Sequence, residues 1–152
     1  MSSSRATIAI RPAADDDVFA LASLSTQLGY PTDANAIRER LRRVRDLEIG
    51  HVFVAVGAAS RVVGWMHVVE RFTLEDDPFV EIAGLIVDET ARSAGVGAVL
   101  LRAAESWARE QGHARLRVRS NIIRQRAHEF YKREGYAEKK RQVVFEKSLA
   151  RD

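Results

Sequence analysis

One stretch restricts this chain more than any other. The nearly continuous apolar run FVEIAGLIV, Phe79 to Val87, leads through ARSAGVG, Ala91 to Gly97, into a helical pattern. A run this apolar, broken by a single charge at Glu81, is what a strand covered on both faces is expected to show. After the loop, Leu100, Ala103, Ala104, Trp107 and Ala108 mark the core-facing side of a helix, with Arg102, Glu105 and Arg109 on its wet side and an end near Gly112. A strand handing over to a helix through two glycines is therefore the centre of the fold.

The flanking sequence supplies the rest of the sheet. Ala6 to Arg11 alternates as a short strand, and Asp15 to Asp17 supply the cap and acidic first turn of a helix carrying Val18, Leu21, Ala22 and Leu28. Gly29 to Pro31 stops that helix. Asp33 caps a second one, whose Ile37, Leu41 and Val44 form a stripe opposite Arg38, Arg42 and Arg45, so the arginine run reads as a solvated face rather than an anion site. His51 to Val56 and Val62 to Val69, joined by GAASR, read as a hairpin, and FTLEDDP connects it to the central strand. Beyond the central helix, Ala114 to Ser120 reads as a strand and Gln125 to Glu134 as a helix with Gly135 as its left-handed cap. Tyr136 is then placed to fold back onto Phe130 or Tyr131, and Lys140 to Lys147 reads as a last strand. No internal repeat appears. The expectation is one α+β domain, residues 1–152, with a mostly antiparallel central sheet flanked by helices.

Composition removes several function classes. The chain has no cysteine, so it holds neither a disulfide nor a thiolate nucleophile, and His51, His67, His113 and His128 lack ligand spacing, so no metal is expected. The 24 Lys and Arg against 21 Asp and Glu leave a net charge of only +3, spread along the chain. No basic stripe is interleaved with aromatics, so nucleic acid is not the expected partner. Neither a signal peptide nor an apolar run near the ~20 residues of a membrane span is present, and a cytoplasmic protein without membrane contact is expected.

The ARSAGVG loop points to an anion. Two glycines let the backbone take positive φ and let a ligand approach the main chain, while the helix that follows offers free N–H groups and its positive dipole end. Arg92 adds a bidentate donor, and no carboxylate lies between Ala91 and Gly97. A phosphate-binding loop of the nucleotide hydrolases would continue with lysine, and a dinucleotide fingerprint would need a third glycine where Leu100 stands.

RSAGVG followed by an amphipathic helix resembles the Arg/Gln-x-x-Gly-x-Gly/Ala signature of the Gcn5-related N-acetyltransferases (GNAT), which bind acetyl-coenzyme A. The resemblance covers nearly the whole chain, from the first strand and two helices through EIAGLIVDE to AHEFYKREGY. It implies a mixed sheet splayed between its fourth and fifth strands, with pantetheine in the gap. The pyrophosphate would rest on the amides of Arg92, Ser93, Ala94, Gly95, Val96, Gly97 and Ala98. Main-chain groups of Leu85, Ile86 and Val87 would pair with the pantetheine arm, the thioester carbonyl meeting an amide near Leu85. A homodimer through the last strand is also in keeping with the resemblance.

Acetyl transfer to a primary amine, by direct attack in a ternary complex, needs a neutral amine, a held thioester and a proton for the departing thiolate. Ala127, Tyr131, Gly135 and Tyr136 match a family pattern in which the tyrosine lies near the coenzyme sulfur, which implies Tyr131 as general acid; a core aromatic is the other reading. Glu81 stands fourteen positions before Gly95, the spacing of the catalytic glutamate in the histone-acetylating branch, and is read as the base, as an amine-binding anion or as an edge-facing acid. Arg124 departs from the family's usual asparagine. Asn121 is then either a cofactor contact or a loop cap. Glu70, Glu75, Asp76, Asp77 and Glu81 gather near the entry to the central strand, read either as an acidic rim that would attract a cationic amine or as solvated loop charges. The ending GYAEKKRQVVFEK looks like that of some aminoglycoside 6′-N-acetyltransferases, so aminoglycosides stand beside protein or peptide amines, polyamines and amino-acid-like amines as acceptors. A non-catalytic acyl-coenzyme A sensor is the alternative of another class.

Overall fold

The computed structural model describes residues 7–150. Five strands and four helices follow one another as β1 (Ala9–Pro12), α1 (Val18–Gln27), α2 (Ala34–Leu47), β2 (Gly50–Val56), β3 (Val62–Arg71), β4 (Phe79–Val87), α3 (Val96–Glu110), β5 (Leu116–Val118) and α4 (Gln125–Arg133). The strands make one sheet in the order β1-β2-β3-β4-β5. Its first three junctions are antiparallel and the last, β4 with β5, is parallel. The expected mixed, mostly antiparallel sheet flanked by helices is what the chain forms. The described residues fall into two compact units that divide between Arg119 and Ser120. The first holds the sheet with α1, α2 and α3, and the second holds α4.

The splay expected between the fourth and fifth strands is visible in the ladder. Val80, Glu81 and Ile82 pair with Leu116, Arg117 and Val118, and the pairing stops there. β4 continues for five more residues, Ala83 to Val87, that have no β5 partner among the described residues. β5 is accordingly shorter than the Ala114 to Ser120 expected from sequence, because a strand persists only as far as its ladder.

Two sets of contacts hold the sheet between its helices. On one face, Val18, Leu21, Leu41 and Val54 form a buried cluster against which Ile37, Val52 and Trp65 pack. On the other, Val96, Leu100, Leu101 and Ala104 of α3 are fully buried. Gly64 lets α3 lie this close: a Cβ there would sit 3.0 Å from the Ile86 carbonyl oxygen, 3.2 Å from Val96 Cγ1 and 3.3 Å from Leu100 Cδ1. Gly84 answers the same need on the opposite face, where a Cβ would come within 2.8 Å of the Trp65 ring.

The entry to α1 is tied to β1 by a buried acid. Asp17 accepts from Arg11 Nη1 and Nη2 at 2.7 and 2.9 Å and from the Ala14 N–H at 2.7 Å. The Arg11 hydrogen bond holds the Asp17 carboxyl below its usual range. Its folded pKa therefore lies below the unfolded value of about 3.9, so the stabilisation is complete above about pH 5 and is lost as pH falls through the folded value. The melting temperature is expected to stay level from about pH 7 to 5 and to drop in acid, with a smaller drop in Asp17→Asn than in the parent. Thermal melts across that range measure it.

Asp33 caps α2 as expected, accepting from the Ala36 N–H at 2.8 Å. The α2 arginines form a solvated face: Arg43 pairs with Glu39 and Arg42 with Asp46 one turn apart, and Arg45 reaches Asp15. Other expectations need correction. β1 begins at Ala9, and Ala6 lies outside the described residues. Lys140 to Lys147 is not a strand: Val143, Val144 and Phe145 are all more than three-quarters exposed and join no ladder. β-branched residues favour a strand only where a partner strand pairs with them.

Candidate functional site

The loop after β4 is shaped by one buried carboxylate. Asp88 donates its N–H to the Val63 carbonyl at 2.8 Å, which fixes the end of the strand. Its side chain accepts from Thr90 N and Thr90 Oγ1, both at 2.9 Å, and from Arg61 Nη2 at 2.7 Å. The Thr90 hydrogen bonds, with help from the Arg61 charge, hold the Asp88 carboxyl below its usual range. This cap starts a 3-10 turn over Glu89–Ala94, which contains Arg92, Ser93 and Ala94. Gly95 then turns the chain with φ 78°, and α3 begins at Val96.

Of the two loop glycines only Gly95 has the positive φ expected of both; Gly97 lies within the first turn of α3. Nothing lies within 4 Å of where a Gly95 Cβ would stand, so its backbone angle, not space, requires glycine. Gly95→Ala should cost about 1–2 kcal/mol through the left-handed conformation alone. Denaturant titration measures that cost, and a fall in coenzyme affinity is expected beside it. Gly95, at the N-cap of α3, supplies no side-chain cap. The amides of Val96, Gly97 and Ala98 are among those a helix leaves without an internal partner, so they are open to an anion. Arg92 is about half exposed, with Glu89 Oε1 3.9 Å from its Nη2. That acid one turn back tempers the cationic character expected of the loop.

Leu85, Ile86 and Val87 bond to β3 on one side only. Met66, Trp65 and Gly64 are their partners there, and on the β5 side their main-chain edge has none among the described residues. An open strand edge therefore leads into the uncapped N-terminus of α3, which gives an extended ligand both strand-like main-chain partners and an anion seat.

Glu81 stands in the opening half of β4 and is 4% exposed at its side chain. Arg71 Nε donates to its Oε2 at 2.7 Å, and Arg119 Nε approaches its Oε1 at 2.8 Å. Both oxygens are thus engaged by guanidinium groups. Part of the acidic rim is paired as well: Asp76 is held by Arg115 and Arg117, which keep its carboxyl well below the usual range, and Glu70 Oε1 accepts from His113 Nε2 at 2.6 Å, while Glu75 and Asp77 are exposed. Arg117 also lies over the Phe79 ring, 4.0 Å from its centroid. The loop that was expected to present negative charge is instead clamped to β5 by arginines.

In the second unit, Tyr131 lies on α4. Its ring meets Phe130 at 5.3 Å and Tyr136 at 6.0 Å between centroids, and its carbonyl accepts from the Tyr136 N–H at 2.9 Å. Gly135 supplies the expected left-handed turn with φ 96°. Burial pushes the Tyr131 phenol up, against the opposing effect of the Arg124 charge. Asn121 caps its own loop: Oδ1 accepts from the Ile123 N–H at 3.2 Å, and its carbonyl accepts from the Arg124 N–H and from His128 Nε2.

Arg71, Arg119, Asp88 and Trp65 were not singled out by sequence reasoning. For Arg119 a signal existed, since Arg115, Arg117 and Arg119 alternate and therefore share one sheet face with Glu81. Among the described residues no cluster of His, Asp or Glu can hold a metal ion. No helix there is long and apolar enough to cross a membrane.

Comparison with known proteins adds the following. The sequence model described as "Acetyltransferase (GNAT) family" matches residues 16–136. An aminoglycoside N(6′)-acetyltransferase type 1 of Stenotrophomonas maltophilia is 31% identical over 144 residues, covering 92% of this chain and 93% of that protein. Two solved structures share the fold. The aminoglycoside 6′-N-acetyltransferase AAC(6′)-Ih of Acinetobacter baumannii superimposes with a TM-score of 0.80 at 17% identity, over 95% of this chain and all of its own. AAC(6′)-Iy in complex with CoA reaches 0.83 at 16% identity, over 97% of this chain and 99% of its own.

Proposed function

We propose, for a chain that belongs to the acetyltransferase (GNAT) family, that the open edge of β4 and the uncapped start of α3 together take acetyl-coenzyme A. The chain is an N-acetyltransferase with acetyl-CoA as its cosubstrate. The observation that carries the site assignment is the continuity of Ala83 to Val87, unpaired on one side, with the Gly95 turn and a helix whose N-cap residue supplies no side-chain cap. Main-chain groups of Leu85, Ile86 and Val87 would pair with the pantetheine arm, and the amides of the Arg92 to Ala98 segment would take the pyrophosphate. Each charge at the helix end gains about 0.3–2 kcal/mol from the dipole, so several N–H bonds and Arg92 carry the rest.

Acetyl transfer forms a C–N bond and breaks a C–S bond, while the amine gives up a proton and the thiolate gains one. Tyr131 is assigned as the acid, because its phenol is kept protonated at neutral pH. Glu81 is assigned to the acceptor side, and service as a base would require one of its two guanidinium partners to release it. Asn121 stays a cofactor contact in this reading, alongside its turn-capping bonds. The 152 residues are taken as one N-acetyltransferase domain, since the family match spans the division at Arg119.

The acceptor is a primary amine. Aminoglycoside-like amines, for which the Stenotrophomonas relative is named, stand against protein or peptide amines. A sensor without turnover is disfavoured by a 31% identical relative that is named as an enzyme. The test is acetyl-CoA-dependent thiol release across a panel of amines. Release with one class establishes turnover; tight coenzyme binding with no release from any amine would return the sensor.

A further inference from the structure

We infer that the acceptor amine carries an oxyanion, a carboxylate or a phosphate, and that Arg71 and Arg119 hold it. The inference rests on the acetyltransferase reading and narrows its substrate class. Arg71 donates its Nε–H to the buried Glu81, and Arg119 pairs with the same carboxylate through an Nε 2.8 Å from Oε1. Among the described residues their terminal nitrogens donate no hydrogen bond, and the two side chains are 47% and 69% exposed. A guanidinium has five N–H donors in a planar fork, so each arginine keeps four free after its bond to Glu81. Glu81 thereby acts as a buried anchor that fixes two forks side by side and leaves their ends facing outward. Two forks on one anchor match the geometry of an oxyanion, which each can bind through paired, charge-assisted bonds.

The surrounding charge favours the same class. At the pair itself two guanidiniums, those of Arg71 and Arg119, share one carboxylate, Glu81, which leaves positive charge in excess there, while Arg115 and Arg117 meet Asp76 on the same face. His67 adds no charge at neutral pH, since burial and then Arg71 push its imidazole down. Glu75 and Asp77, exposed on the loop, are the remaining acids nearby. A cationic group would be repelled by the two guanidiniums themselves, whereas an anionic group on the amine would bring their counter-charge.

The anion does not belong to the coenzyme. Glu81 precedes Asp88 by seven strand positions, which at about 3.3 Å each separates the arginine pair from the pyrophosphate loop by about 23 Å. The two anion seats stand at opposite ends of β4.

The experiment compares amines that differ only in the anion: an α-amino acid against its amide, and phosphoethanolamine against ethanolamine, with spermidine and an aminoglycoside beside them. Thiol release is followed with the parent, Arg119→Gln and Arg71→Gln. The expected result is a KM at least about tenfold lower for the anionic member of a pair, and a rise of that KM by about tenfold or more in either variant, with little change for the uncharged member. Arg119 is largely exposed, so its variant serves even if Arg71→Gln is poorly folded, and a melting curve identifies that case. Equal KM values within each pair, or a preference for the polycations, would overturn the proposal while leaving the acetyltransferase reading intact. A rise in the KM for acetyl-CoA in place of the acceptor's would assign the forks to the coenzyme and overturn it too. Absence of release from every amine, with coenzyme still bound, would remove the acetyltransferase reading and this inference with it.

Discussion

Tyr131→Phe is expected to lower kcat about 10²-fold or more while leaving the KM for acetyl-CoA within about a factor of two. The substitution removes one hydroxyl and keeps the ring, so the contacts of Tyr131 with Phe130 and Tyr136 survive. What is lost is the proton that the departing thiolate would take. Burial keeps the phenol protonated at neutral pH, which suits a donor and excludes a base. A general acid contributes about 10²- to 10⁴-fold, and water can substitute for part of that. Steady-state thiol release measures the effect, with calorimetry of coenzyme binding as the control. An unchanged kcat would mark Tyr131 as a core aromatic and return the search for the acid to the remaining groups.

The second large effect concerns the seat of the proposed coenzyme loop rather than the chemistry. Leu100→Ala is expected to cost about 2–5 kcal/mol, a large share of the 5–15 kcal/mol that holds a typical domain together. Leu100 is fully buried and stands one turn inside the start of α3, against Gly64 of β3. Emptying that position loosens the helix end that presents the loop amides, so coenzyme affinity should fall with stability. Gly64→Ala alone should cost about 1–3 kcal/mol by overpacking, because its new methyl meets Ile86 O, Val96 and Leu100 at 3.0–3.3 Å. In the double variant that methyl points into the space Leu100 vacated, and the combined cost should be less than the sum. Urea titration of the four proteins reads the cycle, and strict additivity would mean that Leu100 and Gly64 do not share the contact.

Both predictions depend on a fold whose outline can be read in the residues. The apolar run from Phe79 to Val87, the glycine turn and the stripe on α3 are local signals of period and backbone angle, and each became the expected element. The Asp33 cap and the Gly135 turn followed the same logic. The loop reading missed that Gly95 alone takes the positive φ, because a glycine in a first helical turn looks no different in sequence from one in the turn before it. The acidic rim failed for a different reason. Asp76 lies 39 residues from Arg115, Glu70 lies 43 from His113, and Glu81 joins Arg71 and Arg119 only across strands.

By itself, then, the sequence determined the features that arise within a turn or a strand: the strand-loop-helix centre, the caps and the candidate coenzyme loop. Hydrophobic period and backbone angle act over a few residues, so they are written where they act. Only the tertiary structure decided where β4 and β5 part, that Lys140 to Lys147 finds no ladder, and that Glu81 is the anchor of two arginines. Strand pairing and charge pairing join residues far apart in the chain, and which carboxylate meets which guanidinium is set by register, which no local pattern encodes.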